Sequence, residues 1–238
     1  RQSMHLKNEV TASKIREICD SEEFGEIRLE EWRLQIQQRA GQVSNLLVIL
    51  EYLLGYTSQR PDVNLHGFNM HVFNSANEMR NKVIELNQGV EEAGMVGSYC
   101  WRFISRENQD LIDIVLDEGD FQYRWNKGGT KDYTWLLDKD RNERVGYPPE
   151  IQGQELHHAG LILGPDISIT DDSLDFIPEN HHFESEVFGG LRATKFWRLP
   201  TLEDKIRRAE ERKSEIINDN RETVLNKLRN QYWVLMTR

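Results

Sequence analysis

An α/β fold with a mainly parallel sheet and crossover helices is predicted by three stretches of this chain. Phe68-Asn-Met-His-Val-Phe73 alternates apolar and polar residues as a strand does. Ser75-Ala-Asn-Glu78 follows at once with the spacing of a capping box, opening a helix that runs to about Leu86. After the turn-like Glu92-Ala-Gly, Met95-Val-Gly-Ser-Tyr-Cys-Trp101 reads as a core strand. A second buried strand is expected in the apolar block Ala159 to Leu163, bounded by Gly164-Pro165. Strands separated by helical stretches favour parallel pairing, because a parallel neighbour is reached only by a crossover.

The remaining elements follow in chain order. Thr11 is a good N-cap for a helix, and Phe24 to Trp32 alternates as a strand. A strongly apolar helix is expected from Val43 to Leu54, and Thr57 to His66 reads as a linker. Between Phe103 and Arg144 the chain is aromatic and polar, with a possible strand at Ile112-Asp-Ile-Val-Leu116. Phe121, Tyr123, Trp125, Tyr133 and Trp135 either stack nucleobases beside basic groups or form the core of a small insertion. Ile167 to Phe188 is acidic and loop-like, and Thr201 caps a helix reaching about Lys227. The apolar run Tyr232 to Met236 reads as a final strand.

Composition narrows the function classes. The 238 residues are 38% hydrophobic and 29% charged, an ordinary globular balance with room for a substantial core. No run of 18 apolar residues and no signal-like start occur, so neither membrane insertion nor secretion is expected. The two cysteines, Cys19 and Cys100, cannot supply a four-thiolate zinc site and fit a reducing cytoplasm. The net charge of −10 argues against a broad basic footprint, yet it is uneven. Residues 192–238 hold 12 Lys+Arg against 7 Asp+Glu, a net of +5, which leaves −15 for residues 1–191. That basic quarter is either a phosphate-facing side or a solvated helix of mixed charge. His157, His158, His181, His182, Asp166 and Glu184 crowd a short span, but without a metal-ligand spacing, so no metal site is assigned.

The most informative stretch is Gln152-Gly153-Gln154-Glu155, leading towards the apolar block. Glycine between long polar side chains lets a backbone approach a ligand closely. This Gln-Gly-x-Glu string resembles motif V of the superfamily 1 helicases, in their second RecA-like domain. The longer string through Leu161-Ile-Leu-Gly-Pro-Asp166 is similar to one bacterial branch, the Schlafen-type or DNA/RNA-helicase-like ATPases. Asn230-Gln-Tyr-Trp-Val-Leu-Met-Thr-Arg238 resembles motif VI, and Arg39, with Arg33 as its rival, resembles the motif IV arginine. Gln2 falls where motif III ends.

The resemblance implies a RecA-like three-layer domain spanning residues 1–238, the second motor domain of a longer protein, with residues 103–144 as a possible aromatic insertion. It further implies that Arg39 and Arg238 contact the γ-phosphate of ATP, that Glu155 contacts the nucleotide sugar, and that Gln2, Gln152 and Gly153 belong to the nucleotide site. The chain has no Gly-x4-Gly-Lys-Ser/Thr loop, so ATP and Mg²⁺ would be held mainly by an upstream RecA-like domain, and this chain alone should be inactive. Single-stranded DNA or RNA is the implied partner. One departure stands out. Motif V normally carries a Ser/Thr and a His before the glutamine, where this chain has Tyr147-Pro148-Pro149. Proline has no N–H to donate to a phosphate, which favours an alternative, a non-catalytic domain that regulates or tethers.

Overall fold

The computed structural model describes residues 44–62, 70–88, 92–126, 135, 140–151, 156–170 and 173–237. The helix expected from Thr11, the strand from Phe24 to Trp32, and the segments 127–134 and 171–172 lie outside the described residues. So do all six candidate nucleotide-site residues: Gln2, Arg39, Gln152, Gly153, Glu155 and Arg238.

The centre is a five-stranded sheet. In chain order its strands are β1 (Ala93–Gly97), β2 (Ile114–Leu116), β3 (Phe121–Trp125), β4 (Arg144–Gly146) and β5 (His158–Ile162). They lie in the spatial order β2-β3-β4-β1-β5. The pairs β3–β4, β4–β1 and β1–β5 are parallel, and only the edge pair β2–β3 is antiparallel. This is the α/β class with a mainly parallel sheet that the sequence predicts, compatible with a RecA-like domain.

Side-chain alternation along the strands builds three layers. Met95 is in register with Val145 on one side and Gly160 on the other. These positions face helix α2 (Ala76–Leu86), whose buried Met79 and Val83 join Met95, Val145, Phe121 and Trp125 in one core. Ser75 caps α2 as expected, its side chain accepting N–H bonds from Asn77 and Glu78. Asp117 reinforces that cap, its carboxylate accepting from the Ser75 hydroxyl and the Asn77 N–H at 2.7 and 2.9 Å. Val96 faces the other way, into a second core with Leu46, Leu50 and Leu54 from helix α1 (Ser44–Leu53) and its C-terminal end, and with Tyr232 and Leu235.

On this second face two strand glycines make a slot for one large ring. A Cβ on Gly94 would lie 2.7 Å from the Trp135 ring, and one on Gly146 would lie 2.6 Å from Trp135 and 2.8 Å from Ile151. Trp135 is 0% exposed, so it cannot move aside into solvent. Gly146→Ala should therefore lower stability by about 1–3 kcal/mol through overpacking. Urea unfolding checks this, with a lower midpoint and an unchanged slope as the expected result.

The structure corrects three expectations and decides between two readings of the aromatic segment. Residues 70–73 carry no regular structure, and Met70 and Val72 are 59% and 87% exposed. Phe68 and Asn69 of the expected strand lie outside the described residues, and of residues 70–73 it is Phe73 that packs against the α2 core. Residues 167–188 are not simply a loop, since β6 (Ile167–Ile169) and β7 (Leu174–Phe176) pair as an antiparallel hairpin before a series of 3-10 turns. Phe121, Tyr123, Trp125 and Trp135 are core residues rather than exposed stacking platforms, and β3 sits inside the main sheet. Tyr133 lies outside the described residues.

The last correction matters most for function. Tyr232 to Met236 is not a strand but the end of one long helix. A one-turn helix, α3 (Pro148–Ile151), leaves β4, and the long helix, α4 (Leu202–Met236), closes the chain. Short apolar runs do not distinguish a strand from a buried helix segment by themselves. The preceding turns do. Val224, Leu228, Tyr232 and Leu235 are all buried, at spacings of four, four and three, which is one helical stripe. Asn220 interrupts the helix with a non-helical backbone (φ −142, ψ 38). Before that kink α4 covers the 3-10 turns, and after it Tyr232 and Leu235 cover the sheet.

Candidate functional site

In open parallel sheets ligands bind outside the carboxyl ends of the strands. Here that edge carries Ser98 after β1, Tyr147 and α3 after β4, and Gly164-Pro165-Asp166 after β5. The end of α4 is held at the same edge. Tyr232 donates its hydroxyl to Asp166 Oδ1 at 2.7 Å.

Asp166 is the hub of a buried polar network. Its Oδ2 accepts from the Ser98 hydroxyl at 2.6 Å and from His181 Nδ1 at 2.6 Å. His181 Nε2 lies 2.6 Å from Ser185 Oγ. Asp166, His181, Ser98 and Tyr232 are all 0% exposed, and Ser185 is 2% exposed. Burial alone would raise the Asp166 pKa, but the His181 bond and charge, with the Ser98 and Tyr232 hydroxyls, outweigh it and hold the carboxyl below its ordinary range. Gly164 lets the parts meet, since a Cβ there would overlap Cys100 Sγ and lie 3.2 Å from Asp166 Oδ1.

Ser185, His181 and Asp166 have the connectivity of a nucleophile, a base and its orienting carboxylate. Two facts assign them a structural role instead. No member reaches solvent, and Ser185 Oγ also accepts the Val187 N–H at 3.1 Å, capping a 3-10 turn. The network joins the ends of β1 and β5, the turn at His181 and the last turns of α4 into one rigid unit. Sequence reasoning placed Asp166 and His181 among metal-ligand candidates and missed Ser98 and Tyr232. The available signal was a polar residue soon after each buried strand, Ser98 behind Gly97 and Asp166 behind Gly164-Pro165.

The other crowded histidines are individually engaged. His157 Nδ1 accepts the Glu92 N–H at 3.1 Å, and His182 Nδ1 accepts the Glu184 N–H at 3.2 Å. Among the described residues no three His, Cys, Asp or Glu side chains are grouped so as to hold a metal ion. His182 packs between Phe183 and Tyr99, with ring centroids 4.4 and 5.7 Å away. Burial first, then the positive charge of His181, Lys213 and Arg102, pushes its pKa down from 6.5 to about 3. The unfolded chain then binds this proton at a pH where the folded protein does not. Stability should be full above pH 6.5 and fall as pH drops from 6.5 towards about 3. The loss is on the order of a few kcal/mol. His182→Asn should flatten that limb in urea melts taken across pH, whatever it does to stability at neutral pH.

Of the six candidate nucleotide-site residues, Gln152, Gly153 and Glu155 lie between two described segments and Arg238 follows one, while Arg39 stands five positions before the first described residue. Ile151 and Leu156 bracket Gln152 to Glu155, α1 begins after Arg39, and Thr237 precedes Arg238. Ile151 and Leu156 share one core with Leu46 and Leu50 of α1 and Tyr232 and Leu235 of α4. Thr237 is 7% exposed and folds back on the helix, its hydroxyl donating to the Trp233 carbonyl at 2.8 Å. No described residue adjoins Gln2.

A three-layer α/β domain, with a mainly parallel sheet whose carboxyl edge is tied to the end of a long helix, is the class that these features define. The chain belongs to the Schlafen group 3, DNA/RNA helicase domain family, whose model matches residues 1–238. No curated protein and no solved structure matches it. It is thus a helicase-related domain. No helix among the described residues is long and apolar enough to cross a membrane.

Proposed function

We propose that this domain is the second motor domain of an ATP-dependent helicase or translocase acting on single-stranded nucleic acid in the cytoplasm. The observation that carries this reading is the shared core just described. The chain on either side of Gln152–Glu155, the helix after Arg39 and the helix before Arg238 are anchored in one hydrophobic cluster. Segments anchored together can present their polar residues to one ligand without a large rearrangement.

In this reading Arg39 and Arg238 act on the γ-phosphate, Glu155 on the nucleotide sugar, and Gln152, Gly153 and Gln2 on the surrounding nucleotide. ATP, when bound with Mg²⁺ against an upstream phosphate-loop domain, supplies a phosphoryl group whose transfer to water spreads charge over its oxygens. The arginine forks would stabilise that charge from the opposite wall of the cleft. Burial of Tyr232 and Leu235 sets where the end of α4 stands, so their role is to orient the residues that follow.

A regulatory or tethering domain is the second reading, favoured by Tyr147-Pro148-Pro149. The structure gives those prolines a local reason, since Pro148 and Pro149 open α3. Proline is suited to a first helical turn, whose N–H groups have no intrahelical acceptor. The same two positions cannot donate to a strand phosphate. ATP hydrolysis by the native-length protein, with and without single-stranded DNA or RNA, separates the readings. Strand-stimulated turnover supports the motor. A folded protein with an intact upstream phosphate loop and no turnover supports the tether.

A further inference from the structure

The stretch between the last 3-10 turn, Ala193–Phe196, and the start of α4 carries a surface that nothing above uses. Trp197 is 72% exposed. Among the described residues the other markedly exposed aromatic is Tyr56, but its hydroxyl donates to Asn230 at 2.6 Å and its ring meets Trp233 edge-on. Among the described residues Trp197 makes no such aromatic contact. The Arg198 guanidinium lies 5.3 Å from its ring centroid.

The support beneath it is firm. The 3-10 turn packs on α4 through the buried Ala193, Lys195 Nζ donates to the Gly189 carbonyl at 2.7 Å, and Thr201 caps α4. Trp197 is therefore displayed on a short segment fixed at both ends.

The charge around it is also unlike the rest of the helix. Along α4 the cations are largely neutralised locally: Arg207 by Asp204, Arg208 and Arg212 by Glu215, Lys213 by Glu210, and Arg229 by Glu222. Arg192, Lys195 and Arg198 are exposed, and no acidic residue lies between positions 192 and 202. Among the described residues none of these three is in an ion pair. The next acids, Glu203 and Asp204, stand at the head of α4, where Asp204 is engaged by Thr201 and Arg207. An uncompensated cationic spot holding an open aromatic face, on a chain of net charge −10, suits a polyanion with exposed rings better than an apolar protein surface.

We propose that Trp197 stacks an unpaired nucleobase of single-stranded nucleic acid, while Arg192, Lys195 and Arg198 hold the neighbouring phosphates. This rests on the strand-acting reading above and adds to it a contact site made of residues that the nucleotide reading does not use. The test is fluorescence anisotropy of labelled oligo(dT), oligo(rU) and an abasic oligomer with the native-length protein, over a salt series. Trp197→Ala should weaken binding to both base-bearing oligomers about tenfold, since base–aromatic stacking is worth roughly five- to hundredfold. It should leave the salt slope and abasic binding unchanged, and Trp197→Phe should restore most of the affinity. Arg198→Ala should lower the salt slope by about 0.7. An unchanged thermal melt is expected for so exposed a side chain.

Wild-type-like binding by Trp197→Ala overturns the proposal, and strand-stimulated ATP turnover in the same preparation would show that the motor reading survives it. Loss of self-association with strand affinity intact also overturns it, in favour of a protein contact. Absence of both strand binding and stimulated turnover in the wild type removes this proposal and the reading beneath it together.

Discussion

Strand-stimulated ATP turnover should fall by about 10³-fold or more when Arg238 is replaced by alanine in the native-length protein. The magnitude is that of an arginine acting across a cleft on a transferring phosphoryl group, about 10³–10⁵ in rate. A guanidinium in the proposed role would provide two parallel donors to phosphate oxygens as charge develops there, a geometry that lysine cannot copy. Arg238→Lys should accordingly recover only part of the loss. Nucleotide affinity should change much less than turnover, because the interaction is strongest in the transition state. Tyr232, Leu235 and Thr237 keep the end of α4 in place in either variant, so the thermal melt serves as the control. Full turnover in Arg238→Ala would remove the arginine from the chemistry. No turnover in the wild type would promote the tethering reading.

The second large effect concerns stability. Asp166→Ala should destabilise the fold by about 3–5 kcal/mol, the usual cost of removing one partner of a buried pair. Three donors now converge on that carboxylate, from Ser98, His181 and Tyr232, and all three would be left buried without it. In a domain of this size the melting temperature should drop by roughly 10 °C. The pH dependence has a definite sign. A carboxyl held below its ordinary range contributes stability that is present at neutral pH and lost as acid protonates it in the folded state. Asp166→Asn should be less stable near neutrality and lose this part of the acid dependence. A melt unmoved by Asp166→Ala would show that the network is not needed for the fold. Tyr232→Phe is the milder probe, costing about 1 kcal/mol, and tests whether the tie to α4 matters for turnover.

How much of this was readable from sequence depended on the range of the physics involved. The α2 cap was legible because Ser75 bonds backbone N–H groups two and three residues away. The buried strand at His158–Ile162 was legible because its apolar block is bounded by turn residues. Tyr232 to Met236 was misread because five apolar residues carry no period of their own; the helical stripe begins at Val224. The aromatic segment admits two readings from sequence because burial of Trp125 and Trp135 depends on strand order and on the slot made by Gly94 and Gly146, which adjoin only in the folded sheet.

The sequence by itself determined the class of domain, since strand and helix periods and turn chemistry act locally. It also carried the motif strings, including Gln152-Gly-Gln-Glu155 and Thr237-Arg238. Tertiary structure alone decided that Asp166, Ser98, His181 and Tyr232 share one buried site, although Ser98 and Tyr232 stand far apart in the chain. It alone decided which arginines of the basic quarter are paired with carboxylates, as Arg208 and Arg212 are with Glu215, and that Trp197 stands exposed next to Arg198. The reason is physical. Periodicity and capping act within a few residues, whereas charge pairing and burial depend on distances that exist only once the chain has packed.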